Sequence, residues 1–308
     1  MQITINSKPD IQDKKGIAAA LGTFDGLHIG HRALIDELKK IAGEKGIKTL
    51  VHTFTSVPSE LFAKSRKPAR LFTLEEKIAA FDKLKIDYLV LQDFDKRYAD
   101  IPEEDFIRRL KEDLNLCSVV VGTNFTYGAH AKGNAEVLLR EADVYGFEAY
   151  VLNPVMLDDL PVSSTRIRQE ISKGDVEYAG VMLGRNYAVS GIVVEGRQIG
   201  RSIGSPTVNL RYDKEKLLPK NGVYITRAHF KGVAYPSVTN IGLNPTVAED
   251  KTIRLETHIL GFDGKIYGEK VKVEFIKRIR DEIKFRNKEM LKEQIQSDIR
   301  AAEQYFKI

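Results

Sequence analysis

The residues best equipped for chemistry are His28 and His31, three positions apart in Gly22-Thr23-Phe24-Asp25-Gly26-Leu27-His28-Ile29-Gly30-His31. The apolar run Ile17–Leu21 before them reads as a buried strand. Ala33–Ile41 after them is apolar at helical spacing. A glycine-rich turn from strand to helix favours phosphate, because free backbone N–H groups and the positive end of the helix dipole meet there. Two imidazoles add donors at the same point, which suits a reaction that builds negative charge on phosphorus. Taken alone, paired histidines at a helix start are as readily structural as functional.

Two further loops follow predicted elements of the same region. Gly122-Thr123-Asn124-Phe125-Thr126-Tyr127-Gly128 comes after an apolar Val119–Val121 run, and Asn124 has the groups to bond a ribose or a base. Val162-Ser163-Ser164-Thr165-Arg166-Ile167-Arg168 opens a helix with hydroxyls and guanidinium groups suited to phosphate. Ser-Ser-Thr before a helix is also an ordinary N-cap. What favours a nucleotide site is that all three segments fall at one edge of one predicted sheet. No Walker-type loop is present.

A second constellation lies in Gly196-Arg197-Gln198-Ile199-Gly200-Arg201-Ser202-Ile203-Gly204-Ser205-Pro206-Thr207-Val208-Asn209. Its glycines, Gly200 and Gly204 among them, allow close backbone approach to phosphate, although such loops are often plain hairpins. Thr207 and Asn209 alternate on one strand and share a face. Together they offer a hydroxyl and an amide oxygen to magnesium held by a triphosphate. Glu256, in Arg254-Leu255-Glu256-Thr257-His258, has the chemistry of a general base toward an alcohol or of an ion-pair partner. His52, His130, His229 and His258 are scattered and read as structural or surface residues. His130 is the best placed of them, following the Asn124 loop.

The elements that must position these groups change character along the chain. Up to residue 183, strands at Thr49–Phe54, Tyr88–Leu91, Cys117–Val121 and Ala149–Leu152 alternate with helices at Leu74–Leu84, Glu103–Leu114 and Asn134–Tyr145. Two short helices, Thr165–Ser172 and Asp175–Met182, close the region. Strands separated by long helices imply a parallel sheet with flanking helices, whose ligands bind beyond the carboxyl ends of the strands. From Gly184 on, short β-rich runs such as Tyr187–Val194, Gly222–Thr226 and Lys270–Phe275 predict a small antiparallel β-barrel. Phe262-Asp263-Gly264-Lys265 reads as a hairpin turn. A C-terminal helix over Lys288–Tyr305 carries one apolar stripe through Met290, Leu291, Ile295, Ile299 and Ala302. The expected domains are therefore 1–183 and 184–308.

The chain of 308 residues, 30% charged and 43% hydrophobic, has the balance of a globular protein. No run of eighteen apolar residues occurs and the N-terminus lacks a signal-peptide pattern, so no membrane segment is expected. Cys117 is the only cysteine, beside a Ser118–Val121 strand, so it reads as a strand thiol, and the cytoplasm is the expected compartment. The net charge of +5 is uneven: residues 1–183 carry 25 basic and 28 acidic side chains, residues 184–308 carry 23 and 15. A basic surface favours polyanions. Without a basic run or zinc-ligand spacing, nucleotides rather than nucleic acid are the expected partners.

His-Ile-Gly-His with the later Ser-Ser-Thr-Arg-Ile-Arg resembles the nucleotidyltransferase superfamily. The fuller Leu-Gly-Thr-Phe-Asp-Gly-Leu-His-Ile-Gly-His resembles the adenylyltransferase half of bacterial bifunctional riboflavin kinase/FAD synthetases. Gly-X-Pro-Thr-X-Asn followed by Glu-Thr-His is similar to their riboflavin kinase barrel, as are Asn221–Tyr224 and Arg280–Phe285. The resemblance implies an α/β nucleotidyltransferase domain followed by a kinase barrel. Riboflavin, FMN, FAD and ATP would be the partners and Mg2+ would accompany ATP. It implies that His28 and His31 stabilise charge on the α-phosphate of ATP. Gly22, Phe24, Asp25, Gly30, Asn124, Ser164, Thr165 and Arg168 would bind that nucleotide. In the barrel, Gly200, Gly204, Thr207 and Asn209 would hold Mg–ATP, with Thr207 and Asn209 on the metal. Glu256 would deprotonate the ribityl hydroxyl, and Arg280 and Phe285 would close the flavin site. The chain departs from the family at Thr55-Ser56-Val57-Pro58, where an Asp-Pro-His-Pro-like turn is usual near the flavin phosphate.

Two rival readings accompany this one. A chain with only the kinase half active fits the altered Thr55–Pro58 turn. A flavin- or nucleic-acid-binding regulator that kept the fold fits the basic C-terminal part. The reading leaves room for a homo-oligomer.

Overall fold

The computed structural model describes residues 1–11, 15–63, 67–195, 206–243 and 253–308. Among them the chain forms two compact units, Met1–Ser164 and Thr165–Ile308.

The first unit contains, in chain order, β1 (Gln2–Ile5), β2 (Ile17–Leu21), α1 (Ile29–Lys45), β3 (Lys48–Phe54), α2 (Leu74–Lys83), β4 (Tyr88–Gln92), α3 (Lys96–Ala99), α4 (Glu103–Leu114), β5 (Leu116–Gly122), β6 (Thr126–Tyr127), β7 (Gly133–Asn134), α5 (Ala135–Tyr145), β8 (Glu148–Leu152), β9 (Met156–Leu157) and β10 (Leu160–Pro161). Six strands form one sheet in the order β1-β4-β3-β2-β5-β8, every pair parallel. Its centre, β2, is buried at all five residues and Ala-rich, so flanking helices pack close on both faces. Ala18 and Ala20 join the α1 side with Ile35, Leu38 and Ile41. Ile17, Ala19 and Leu21 face Phe106, Ile107 and Leu110 of α4. Each large side chain fully buried this way contributes about 1.5–3 kcal/mol.

Two connections leave β2's neighbourhood in opposite directions. The chain runs from β2 to β3 on one side and reaches β5 on the other. The crevice where a doubly wound sheet receives ligands therefore lies beyond Leu21 and Gly122, the carboxyl ends of β2 and β5. Strand β1 was not anticipated from the sequence. Four residues pair with β4 alone, and Ile3 and Ile5 remain exposed, so the apolar signal is weak.

The second unit contains α6 (Ser164–Lys173, its first residue still in the first unit), α7 (Val176–Leu183), β11 (Tyr187–Val194), β12 (Val208–Tyr212), β13 (Gly222–Phe230), β14 (Val233–Leu243), β15 (Ile253–Ile259), β16 (Lys270–Arg280) and a C-terminal helix, Lys288–Phe306. The six strands close into an antiparallel barrel in the order β11-β12-β15-β14-β13-β16. Strand β13 is buried on both faces. Tyr224, against Phe275 at 5.3 Å, and Thr226 point inward, while Val223 and Ile225 lie in the cluster with Ile299 and Ala302 of the C-terminal helix. Inside runs a hydroxyl ladder, Ser237–Thr226–Thr239–Thr257, with links of 2.8, 2.8 and 2.9 Å. Each buried hydroxyl is thereby satisfied without water.

The expected hairpin turn at Phe262–Lys265 is not one. Strand β15 pairs with β12 and β14 rather than β16, and the chain from Leu260 to Glu269 crosses to the far side of the barrel. Phe262 anchors the crossing against Phe230 and Tyr235, at 6.0 and 5.4 Å, so tertiary contacts override the local Asp-Gly signal.

Candidate active sites

In the first unit the histidine loop leaves β2 and enters α1. His28 is the N-cap, an uncommon residue there. Its Nδ1 accepts the His31 N–H at 3.3 Å, which leaves the ring proton of a neutral His28 on Nε2. The two imidazoles stack at 3.6 Å, and the edge of Phe24 meets His31 at 5.1 Å. His28 is buried, and the Nδ1 of His31 is buried with no hydrogen-bond partner. Burial first, then the neighbouring His28 and Lys77, holds the His31 imidazole well below its usual range and keeps it neutral. The first turn of α1 has no acidic residue to offset its dipole. Neutral imidazole donors at an unbalanced helix start can take a phosphate without a competing carboxylate.

The loop itself is strained and pinned. Phe24, Gly26 and Leu27 all have positive φ, at 48°, 81° and 42°. Asp25 is buried and accepts the backbone N–H groups of Leu71 and Phe72, so the structure gives it a structural task. Gly22 supports the ring of Phe24: a Cβ there would lie 3.2 Å from it. A Cβ on Gly30 would lie 3.2 Å from the His28 ring. The hydroxyl of Ser164 donates to the Asp25 carbonyl at 2.8 Å, which ties Ser164 to the histidine loop. Thr165 is exposed and Arg168 half-buried on α6. Asn124 is exposed beyond β5, its Oδ1 close over Gly122. His52 is half-buried among the rings of Phe54, Tyr98 and Phe106, its pKa lowered to about 4 by desolvation, which fits a structural residue.

The unusual Thr55–Pro58 turn is anchored by this chain's own contacts. The Val57 N–H donates to Glu60 at 3.1 Å, and Glu60 forms a two-point bridge with Arg70 at 2.7 and 2.8 Å. Beside it stand Phe54, Phe94 and Phe62. Phe94 is 5.2 Å from Phe54 and 6.1 Å from Phe62, which is 68% exposed. This open aromatic wall was missed in the sequence, because its members come from three separate segments. The Leu61-Phe62 pair in the segment between β3 and α2 was the one available signal.

In the barrel, register does the positioning. Asn209 of β12 lies opposite Glu256 of β15, and Glu256 lies opposite Asn240 of β14. Paired residues share a face, so a carboxylate stands between two amides. Thr257 belongs to the inner hydroxyl ladder, so its neighbour Glu256 faces outward. Thr207 precedes β12 in phase with Asn209. Arg254 Nη1 is 3.8 Å from Glu256, and His258 bonds the Pro206 carbonyl at 2.8 Å. A cavity of about 240 Å³ opens beside Thr207, lined by Val193, Val208, Ile259, Phe262 and Tyr267 among others. Asn240 was not anticipated, since only strand pairing brings it to Glu256. Gly200 and Gly204 lie outside the described residues.

Arg280 has a structural partner. It forms a two-point bridge with buried Asp298 at 3.0 and 2.6 Å, and Gln294 donates to the same carboxylate. Phe285 is half-buried in the segment before the C-terminal helix. Among the described residues no cluster of three His, Cys, Asp or Glu side chains could hold a metal, and no helix is long and apolar enough to cross a membrane.

A parallel sheet whose central strand leads into a histidine-capped helix, followed by a barrel with an outward row of a carboxylate between two amides, is an arrangement suited to a two-site transferase working on phosphate groups. Residues 10–166 match the FAD synthetase family and residues 183–306 the riboflavin kinase family. The chain is 36% identical over 290 residues to a bifunctional riboflavin kinase/FMN adenylyltransferase of Bacillus subtilis, covering 93% of this chain and 92% of that one. It is 34% identical to the Haemophilus influenzae protein of the same description, with 95% of each chain covered. A solved Streptococcus pneumoniae structure, titled a macrolide-efflux protein, superposes with a TM-score of 0.90 at 29% identity, covering 98% of this chain and 99% of that one. The chain belongs to the bifunctional riboflavin kinase/FMN adenylyltransferase family.

Proposed function

We propose that the chain performs two successive ATP-dependent steps on flavin, in two functional segments, 1–183 and 184–308. In the barrel, Glu256 takes the proton of the terminal ribityl hydroxyl of riboflavin. That oxygen attacks the γ-phosphorus of ATP, giving FMN and ADP. In the α/β segment a phosphate oxygen of FMN attacks the α-phosphorus of a second ATP, giving FAD and pyrophosphate without a covalent enzyme intermediate.

His28 and His31 stabilise the charge on the α-phosphate, His28 through its Nε2–H. Thr165, Arg168 and the α1 N-terminus hold the phosphates, with Ser164 offering its backbone N–H at the start of α6, Asn124 contacts the nucleoside, and the Phe54–Phe94–Phe62 wall offers a flat face to the isoalloxazine. Gly22, Phe24, Asp25 and Gly30 shape the loop around ATP. In the barrel the cavity beside Thr207 suits the ATP base, with Gly200 and Gly204 near its phosphates. Phe285 closes the flavin site, and Arg280 orders that same segment from its bridge to Asp298.

Thr207 and Asn209 supply hard oxygen donors next to the Glu256 carboxylate, a donor set that fits Mg2+. The ion would offset phosphate repulsion when bound with ATP. Reaction in the cytoplasm is supported by the lone thiol, Cys117, and the lack of a membrane-length helix among the described residues.

The observation that carries this reading is the neutral, stacked histidine pair capping an acid-free helix start. The test is a product time course from riboflavin, ATP and magnesium, repeated with FMN. Glu256→Ala is expected to abolish FMN formation and to leave FAD formation from supplied FMN intact. Equal loss of both would refute the division of labour. FMN accumulating without FAD in the wild type would leave a kinase alone. Salt-sensitive nucleic-acid binding without turnover would indicate a regulator.

A further inference from the structure

Lys77 is a buried cation that no motif singled out. It stands at the fourth position of α2, one residue past the Thr73/Glu76 capping box, and only 4% of its surface is exposed. A buried ammonium is costly unless its protons are used. Here Nζ donates to the Thr23 carbonyl at 3.0 Å and to the Phe54 carbonyl at 2.7 Å. Thr23 begins the strained loop that carries His28 and His31. Phe54 ends β3, one residue before the Thr55–Pro58 turn and at the root of the aromatic wall. Thr53, fully buried, donates to the same Thr23 carbonyl at 2.9 Å. The charged neighbours acting on Lys77 are Asp25, Arg70 and Glu60, all members of the scaffold around these two segments.

A hydrophobic residue would fill the space but would take this donor from both carbonyls, so what the ammonium adds is the tie between the two segments. We infer that Lys77 is a positioning residue for adenylyl transfer, a strut that fixes the distance between the phosphate-side histidine loop and the acceptor-side turn. This rests on the adenylyl-transfer reading above. In-line attack needs the FMN phosphate oxygen and the α-phosphorus held to within a fraction of an ångström. A misplacement of about 1 Å costs on the order of 100-fold. Burial lowers the ammonium's pKa to about 8, so it remains mostly charged at neutral pH.

The experiment uses the full chain and compares Lys77→Met with the wild type, measuring FAD formation from FMN and FMN formation from riboflavin in the same preparation. Methionine keeps the volume and removes both donors. The expected result is an approximately 100-fold lower kcat for FAD formation and a several-fold higher KM for FMN, with kcat and KM for riboflavin phosphorylation unchanged. Lys77→Gln keeps N–H donors without the charge and should recover part of the loss. It also carries the test if Lys77→Met does not fold, with an intermediate kcat and raised KM for FMN as the supporting result. Unchanged FAD kinetics in either folded variant would overturn the inference. So would a fall in kcat with both KM values unchanged that matches the loss of folded first unit by circular dichroism. A wild type that makes no FAD would overturn the adenylyl-transfer reading and this inference with it. Wild-type transfer beside an unimpaired variant would overturn this inference alone.

Discussion

The histidine loop and the barrel row solve one problem, holding polar groups for phosphate chemistry, by opposite means. The loop places its imidazoles under cover, on backbone with positive φ at Phe24, Gly26 and Leu27. It therefore needs outside ties: Lys77, Thr53 and Ser164 all donate to its carbonyls. The barrel row needs few such ties. Asn209, Glu256 and Asn240 share a face because antiparallel register makes them do so. A loop site buys preorganisation with many distant contacts, whereas a strand site inherits it from a pairing that also closes the barrel. The first should be fragile to changes far from the chemistry, and the second to changes that loosen the barrel.

The largest effect on stability tests the barrel side. Asp298 is 3% exposed and is bridged by Nε and Nη2 of the Arg280 guanidinium. Removing its carboxylate takes both bonds from the half-buried guanidinium, whose Nη1 keeps the Asp281 carbonyl, at a cost of about 1.5–3 kcal/mol. Asp298→Ala should lower the thermal midpoint of riboflavin phosphorylation strongly while FAD formation from supplied FMN persists at temperatures where the first is lost. Parallel loss of both activities would show that the two sites do not depend on separate scaffolds.

The next tests the loop side. His28 combines a cap and a ring, and His28→Asn separates them, since asparagine is a favoured N-cap. Stability should change by less than about 1 kcal/mol, while FAD formation falls about 10²–10³-fold, the usual cost of one donor to a developing oxyanion. FMN formation should be unaffected. Near-wild-type FAD formation would reduce His28 to a capping residue.

How far these sites were legible follows from the same contrast. The strand-turn-helix around His28 could be read because its cues are local: an apolar run, glycines, then helical periodicity. Thr207, Asn209 and Glu256 were legible as residue types, and the barrel as a class, but not the strand order that puts Asn240 beside Glu256. Lys77 looks like any surface lysine on an amphipathic helix, and only the folded sheet brings two carbonyls to it. The crossing at Phe262–Lys265 misled because an Asp-Gly pair signals a hairpin locally, while rings from β13 and β14 decide its path. Long-range packing is what sequence periodicity does not encode.

A smaller effect should appear with pH. The folded pKa of His52 lies at about 4, and that of His31 is also depressed, both chiefly by burial. A histidine kept neutral in the fold but free to charge when unfolded favours unfolding as pH falls below about 6.5. The loss continues until the folded pKa is reached. For His52 alone the change from pH 7 to pH 5 is about 2 kcal/mol. Urea unfolding of the full chain should therefore show a first-unit transition that weakens across this range, and His52→Leu should flatten the slope. An unchanged slope in that variant would place the pH sensitivity elsewhere.

The smallest change separates stability from chemistry most sharply. Gly30 sits in the first turn of α1, where alanine is the better helix former by up to about 1 kcal/mol. Its added Cβ would meet the His28 Cε1 and Nδ1 atoms at 3.2 Å, so the ring must shift by a few tenths of an ångström. That ring is stacked on His31 and holds the cap, so the shift passes to both imidazoles. Gly30→Ala is expected to leave the urea midpoint equal or slightly raised and to lower kcat for FAD formation about ten-fold, with FMN formation unchanged. If kcat holds while stability rises, the histidine pair tolerates displacement. Tight positioning at the loop site would then have to come from the Thr165 and Arg168 side chains proposed to hold the phosphates rather than from the rings.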